Sequence, residues 1–157
     1  MEKKLRVYVE TSVISHLDAP DRPDRMADTL RLWKELHAGA YEVVVGAPVM
    51  AELEQCHEPK RTFMFEALGK IKYELVSGTD ESKRIASEYI RLGGLPRKSG
   101  TDAAHIALAT LAGCDAIVSW NFSHIVNLKA MTAVDTVNTF ERLKPIRIVS
   151  PTILLGG

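Results

Sequence analysis

Apolar positions along the chain recur with two periods, and stretches of the two alternate. Leu5–Val9 is a short, β-rich apolar run and reads as a strand. Glu10–Leu17 turns into a short helix, and Asp18–Asp24 (DAPDRPD), with two prolines and several carboxylates, is a loop. Met26, Leu30, Trp33 and Leu36 or His37 then recur at helical spacing, so Met26–Ala38 is an amphipathic helix stopped by Gly39. Glu42–Val45 (EVVV) is the second strand, closed by Gly46. Pro48 stands at a helix start, where its missing N–H costs nothing. Val49, Leu53 and Cys56 mark the inward face of that helix; Pro59 restarts the pattern, with Met64, Leu68 and Ile71 on one face.

Tyr73–Val76 is a third strand. Thr79 or Asp80 caps a helix with Ile85, Tyr89 and Leu92 inside, ended by Gly93 and Gly94. Leu95–Gly100 (LPRKSG) is a polar loop, and Thr101–Ala112 is apolar nearly all round and should be buried. Asp115–Trp120 is a fourth strand, Thr132–Leu143 a last helix and Ile146–Val149 a last strand. The first two strands are nearly continuous apolar runs. Strands alternating with helices then argue for a three-layer α/β/α arrangement around a parallel sheet of about five strands, covered on both faces.

Length and charge narrow the picture only a little. The chain has 157 residues, which suits one domain spanning 1–157 and buries about 70% of the unfolded surface without staples. Lys+Arg and Asp+Glu number 20 each, so no global charge draws the chain to nucleic acid, and any such attraction must be local or carried by cations. Cys56 and Cys114 form no CxxC pair and read as two buried thiols in a reducing compartment. The opening MEKKLRVYVETS is too short for a signal-peptide core, and no run reaches the ~20 apolar residues of a membrane helix. The expectation is a cytoplasmic chain with no membrane segment.

The chemistry lies in where the acids fall. In a parallel sheet all strands point their C-terminal ends to one edge, where ligands bind. Glu10 follows the first strand, Glu52 lies early in the helix after the second, Asp102 starts the helix feeding the fourth, and Asn121 follows the fourth. Each acid alone is more simply explained as a helix cap or dipole partner. Together with the Asn121 amide, three carboxylates share one rim, and the carboxylates repel one another unless a cation sits among them, by roughly 4 kcal/mol for two charges 4 Å apart at an effective dielectric of 20. All-oxygen ligands suit Mg²⁺ or Mn²⁺, and the matching chemistry is phosphodiester hydrolysis by an activated water. No zinc spacing occurs among His16, His37, His57, His105 and His124.

The motifs that carry these residues resemble the PIN-domain family, and within it the VapC-type toxin ribonucleases. VYVETSVIS resembles the family's first strand and acid, APVMAELEQ its second-acid helix, SGTDAAHIALA its third, GCDAIVSWNFSHI its fourth site and IRIVSPTIL its closing strand. The resemblance runs from about Leu5 to Leu154. It implies a sheet of order 3-2-1-4-5 and Mg²⁺- or Mn²⁺-dependent cleavage of RNA by Glu10, Glu52, Asp102 and Asn121, the same four holding the metal. It also implies a small antitoxin protein as partner, and a homodimer for which the Met26–Ala38 face can serve. Glu10 stands where the family usually has Asp, and Asn121 where it often has Asp. These departures sustain a second reading, a PIN-fold module that binds RNA or protein without cleaving.

Around the four, Thr11 and Ser12 are hydroxyls that either hold a water at the site or cap the helix. Ser119 and His105 are candidates to orient the acids, His105 by its place three residues after Asp102 on one helical face. Each has a plain packing role as its alternative. Arg97, Lys98 and His124 are candidates to hold RNA, the first two against phosphates. Receiver and haloacid-dehalogenase-like phosphatase readings fit less well: VSGTD places no acceptor Asp at a third strand end, and ETS replaces Asp-x-Asp after the first.

Overall fold

In a computed structural model the described residues are 3–156. Five parallel strands form one sheet in the order β3-β2-β1-β4-β5: β1 Arg6–Val9, β2 Glu42–Gly46, β3 Glu74–Val76, β4 Ala116–Val118 and β5 Arg147–Val149. β1 is central. Val7 lies level with Val43 on one side and Ala116 on the other. Val7, Tyr8 and Val9 are fully buried although alternate residues point to opposite faces, so both faces of the sheet are covered. That is why β1 and β2 carry continuous rather than alternating apolar runs.

Helices connect the strands. α1 (Thr11–Ser15) and α2 (Pro23–His37) follow β1; α3 (Ala47–Glu54) and α4 (Lys60–Leu68) follow β2. α5 (Asp80–Arg91) and α6 (Gly100–Leu111) lie between β3 and β4, with a single 3₁₀ turn, Arg97–Ser99, leading into α6. α7 (Leu128–Phe140) precedes β5 and α8 (Pro151–Leu154) follows it. α5 packs on both α6 and α7, α2 packs on α8, and α1 on α3 and α4. The buried apolar side chains of all these layers form one continuous core. No helix among the described residues is long and apolar enough to cross a membrane.

Where the structure departs from the sequence pattern, local hydrogen bonding explains it. α2 starts at Pro23, which occupies its first turn, rather than at Met26. Its inward stripe is Thr29, Leu32, Trp33 and Leu36, and Leu30 is 46% exposed. A threonine can face inward because its hydroxyl donates to the Arg25 carbonyl at 2.6 Å and accepts from Trp120 Nε1 at 2.9 Å. α7 starts at Leu128, not Thr132, because the Asn127 side chain caps it by accepting from the Ala130 N–H. Leu92, expected inside, is exposed at the end of α5. Cys56 is half-buried just past α3, whereas Cys114 is buried and its thiol is pushed up to about 12 by burial.

Candidate active site

Glu10 is the first residue beyond β1 and stands at the N-cap position of α1. Its side chain does not cap that helix; it turns back over the sheet edge and is 4% exposed. There it accepts two hydroxyl hydrogen bonds, from Ser12 Oγ at 2.5 Å and Ser119 Oγ at 2.6 Å, both on Oε1. Ser119 also accepts from the Asn121 N–H, and Ser12 from the Trp120 N–H. The loop after β4 is therefore tied to the Glu10 carboxylate through two serines. Ser12 does not cap α1, and neither does Thr11.

Glu52 projects from the second turn of α3 towards the same edge. Its Oε1 accepts from Thr11 Oγ1 at 2.7 Å and lies 2.6 Å from His105 Nε2. Burial raises the Glu52 carboxyl, but the hydrogen bonds from His105 and Thr11 outweigh it and hold the group below its ordinary value. A carboxylate only accepts, so Nε2 of His105 carries the hydrogen. Nδ1 of the same ring lies 2.7 Å from the Tyr8 hydroxyl. Burial, with the charges of Glu10 and Glu52 behind it, pushes the Tyr8 phenol up. Tyr8 therefore keeps its proton, and its hydroxyl is the hydrogen-bond partner of Nδ1. Gly46 makes room for this contact: a Cβ there would run into the Tyr8 hydroxyl.

Side-chain ligand atoms of Glu10, Glu52 and His105 lie within 4.8 Å of one another. Both nitrogens of the fully buried His105 are engaged, so the ring orients Glu52 and is not itself a free ligand. Its partner is Glu52, across two helices, and not Asp102 on its own helix.

Asp102 lies in the first turn of α6 at the same edge, but in a second group. Its Oδ2 is 3.2 Å from His124 Nδ1, and the Asn121 amide approaches Oδ1 at 3.5 Å. Asn121 Oδ1 accepts from the His124 N–H, and His124 Nδ1 also lies 3.2 Å from Ser99 Oγ. The two groups are joined through Asn121, whose N–H meets Ser119 and hence Glu10. Arg97 and Lys98 are exposed on the 3₁₀ turn that delivers α6.

The donor set fits a hard divalent ion. Among the described residues, no lysine or arginine pairs with Glu10, Glu52 or Asp102; their only basic neighbours are His105 and His124. On both glutamates every hydrogen bond among the described residues falls on Oε1, and neither Oε2 has a protein partner. Tyr8 was missed in the sequence. The one available signal was a polar tip in an otherwise aliphatic central strand.

No protein-family model matches the chain, and no curated protein matches it by sequence. Solved structures do match. One is VapBC2 from Rickettsia felis bound to a DNA fragment from their promoter, with TM-score 0.54 and 11% identity over 93% of this chain and 98% of that one. Another is Mycobacterium tuberculosis VapC20, a Sarcin-Ricin loop cleaving toxin, with TM-score 0.55 and 19% identity over 75% of this chain and 92% of that one. With its 3-2-1-4-5 sheet and three layers, the chain has the PIN-like fold of the VapC toxins.

Proposed function

We propose that the chain is a divalent-metal-dependent RNA endonuclease and the toxin half of a toxin–antitoxin pair. The observation that carries this reading is the pairing of Glu10 and Glu52. Two carboxylates stand side by side with no lysine or arginine between them, each with Oε1 fixed by neighbours and Oε2 left over. Bare proximity of this kind costs up to about 3–4 kcal/mol at an effective dielectric of 20, less for the half-exposed Glu52. A cation held by the two glutamates would remove that cost.

Glu10 and Glu52 would hold Mg²⁺ or Mn²⁺, with Asp102 adding a third negative charge to the rim and Asn121 a neutral amide. A bound ion of this class lowers the pKa of water and offsets charge on a phosphate under attack. The protein's own part is orientation. Ser12 and Ser119 fix Glu10, Thr11 and His105 fix Glu52, and His124 fixes Asp102 and Asn121. Arg97 and Lys98, exposed beside Asp102, would hold RNA phosphates. An antitoxin protein, a homodimer and a cytoplasmic setting belong to the same proposal.

A second reading, a PIN-fold module that binds without cleaving, draws on Asp102, whose two oxygens are both engaged by neighbours. One experiment separates the two. Purified protein should cleave RNA with Mg²⁺ or Mn²⁺, stop with EDTA, and lose cleavage by at least about a hundredfold in Glu52→Gln, since metal-borne charge stabilisation is worth several kcal/mol. RNA binding without metal-dependent cleavage would favour the binding module.

A further inference from the structure

Beside the acid cluster lies a group of rings that the proposed chemistry does not use. Trp120 and Phe122 flank Asn121 in the loop after β4. Trp120 is 6% exposed and fixed at two points: its backbone N–H donates to Ser12 Oγ at 2.8 Å, and its indole N–H to Thr29 Oγ1 at 2.9 Å. The Phe122 ring meets it edge-on, with centroids 6.1 Å apart. Arg25, from α2, places its guanidinium over both rings, 5.4 Å from the Trp120 centroid and 5.1 Å from that of Phe122. Phe122 nevertheless keeps 43% of its surface in solvent.

Three features make this more than an exposed apolar residue. Among the described residues, no carboxylate lies in ion-pair contact with Arg25, and its guanidinium sits over the two rings. The ring at the base of the group is anchored, because Trp120 is hydrogen-bonded to both α1 and α2. It also adjoins the reaction site, because the serine that binds the Trp120 N–H also donates to Glu10. Single-stranded nucleic acid is held by this combination, a ring face or guanidinium for a base with positive charge beside it for the backbone.

We infer that Phe122 and Arg25 form a stacking platform for one unpaired RNA base next to the scissile phosphate. The inference rests on the proposed RNA substrate. The phosphate beside that base is thereby set against Glu10 and Glu52, so the platform positions substrate and favours unpaired over duplex RNA. It does not itself take part in bond breaking.

The test measures binding apart from cleavage. A short mixed-sequence single-stranded RNA carrying a fluorophore is titrated with protein in EDTA, and the same RNA with its bases replaced by abasic sites is the control. Phe122→Ala should weaken binding to the intact RNA roughly 5- to 100-fold, the range for loss of one stacked base. Phe122→Trp should restore it, and the abasic RNA should not distinguish wild type from Phe122→Ala. Thermal melting of each variant checks folding, which a residue this exposed should barely affect. Wild-type affinity in Phe122→Ala, an equal loss on intact and abasic RNA, or no binding by the wild type would each overturn the platform. If Phe122-dependent binding is seen but added Mg²⁺ gives no cleavage, the nuclease reading falls and the platform stands. Cleavage indifferent to Phe122 would give the reverse.

Discussion

Nε2 of His105 lies 2.6 Å from Oε1 of Glu52, so a fully buried imidazole on α6 fixes the carboxylate of a half-exposed glutamate on α3. The ring is held in turn by Tyr8, at the centre of the sheet. A line of three polar groups thus runs from the middle of the core to the rim. Such a line survives in a core only when each member is satisfied, because each one orphaned costs about 1–3 kcal/mol.

Tyr8→Phe keeps the ring and removes only the hydroxyl. His105 Nδ1 is then buried without its hydrogen-bond partner, and the variant should lose about 1–3 kcal/mol of stability in urea unfolding. Its cleavage rate should fall as well, since Glu52 loses its oriented partner. An unchanged unfolding midpoint would mean that the Tyr8 hydroxyl makes no such bond.

Ser119→Ala tests the corresponding support of Glu10. The serine is fully buried, donates to Glu10 and accepts from the Asn121 N–H. Its loss should cost roughly 1.5–3 kcal/mol, as for a hydrogen bond to a charged group. It should also weaken divalent binding about 10- to 100-fold, as removal of groups that orient metal ligands commonly does. Calorimetric titration with Mn²⁺ reads the second effect, and unaltered affinity would detach Ser119 from the site.

Glu10 and Glu52 were legible in the sequence because strand ends can be read from apolar runs, and the residue after a central strand must emerge at the ligand edge. The pairing of His105 with Glu52 was not. Spacing within one helix pointed His105 at Asp102, three residues away, while its actual partner lies 53 residues distant and is reached only once α3 and α6 pack side by side. The inward face of α2 was misread for a related reason. Apolar periodicity selected Leu30, and Thr29 faces inward because Trp120 supplies a hydrogen bond from a remote loop. The turn to α8 also escaped notice, since Ser150 and Pro151 leave only four residues of helix to recognise. The strand order came from the resemblance to PIN domains, as hydrophobic patterning alone does not order parallel strands.

At the opposite edge of the sheet, Asp115 gives a pH dependence. The Arg6 backbone N–H donates to Oδ2 at 2.8 Å and Lys144 Nζ lies 2.8 Å from Oδ1, and these contacts hold the Asp115 carboxyl below its ordinary value. A carboxyl depressed on folding contributes stability above its unfolded pKa of about 3.9, and that contribution is lost as pH falls through the folded value. Asp115→Asn should therefore be less stable than wild type at pH 7, with the gap closing as the pH drops below about 4. Urea midpoints across pH 3–7 read this directly; a constant gap would show that the carboxylate charge contributes nothing.

Asn121→Asp probes whether the rim lacks negative charge. The Asn121 amide approaches Asp102 Oδ1 at 3.5 Å as a donor, and its Oδ1 accepts the His124 N–H. A carboxylate keeps the second bond and turns the first into repulsion, up to about 4 kcal/mol at an effective dielectric of 20 and smaller near solvent. In EDTA the variant should melt below wild type. A divalent ion at Glu10 and Glu52 reverses the sign, because the added charge then lies near a cation under little screening. Mg²⁺ should raise the melting temperature of Asn121→Asp more than that of wild type, and half-maximal stabilisation should come at lower Mg²⁺. Equal Mg²⁺ responses in the two proteins would place Asn121 away from the ion. Its amide would then serve to hold His124 and the loop after β4, and the Asp102 group would act separately from the paired glutamates.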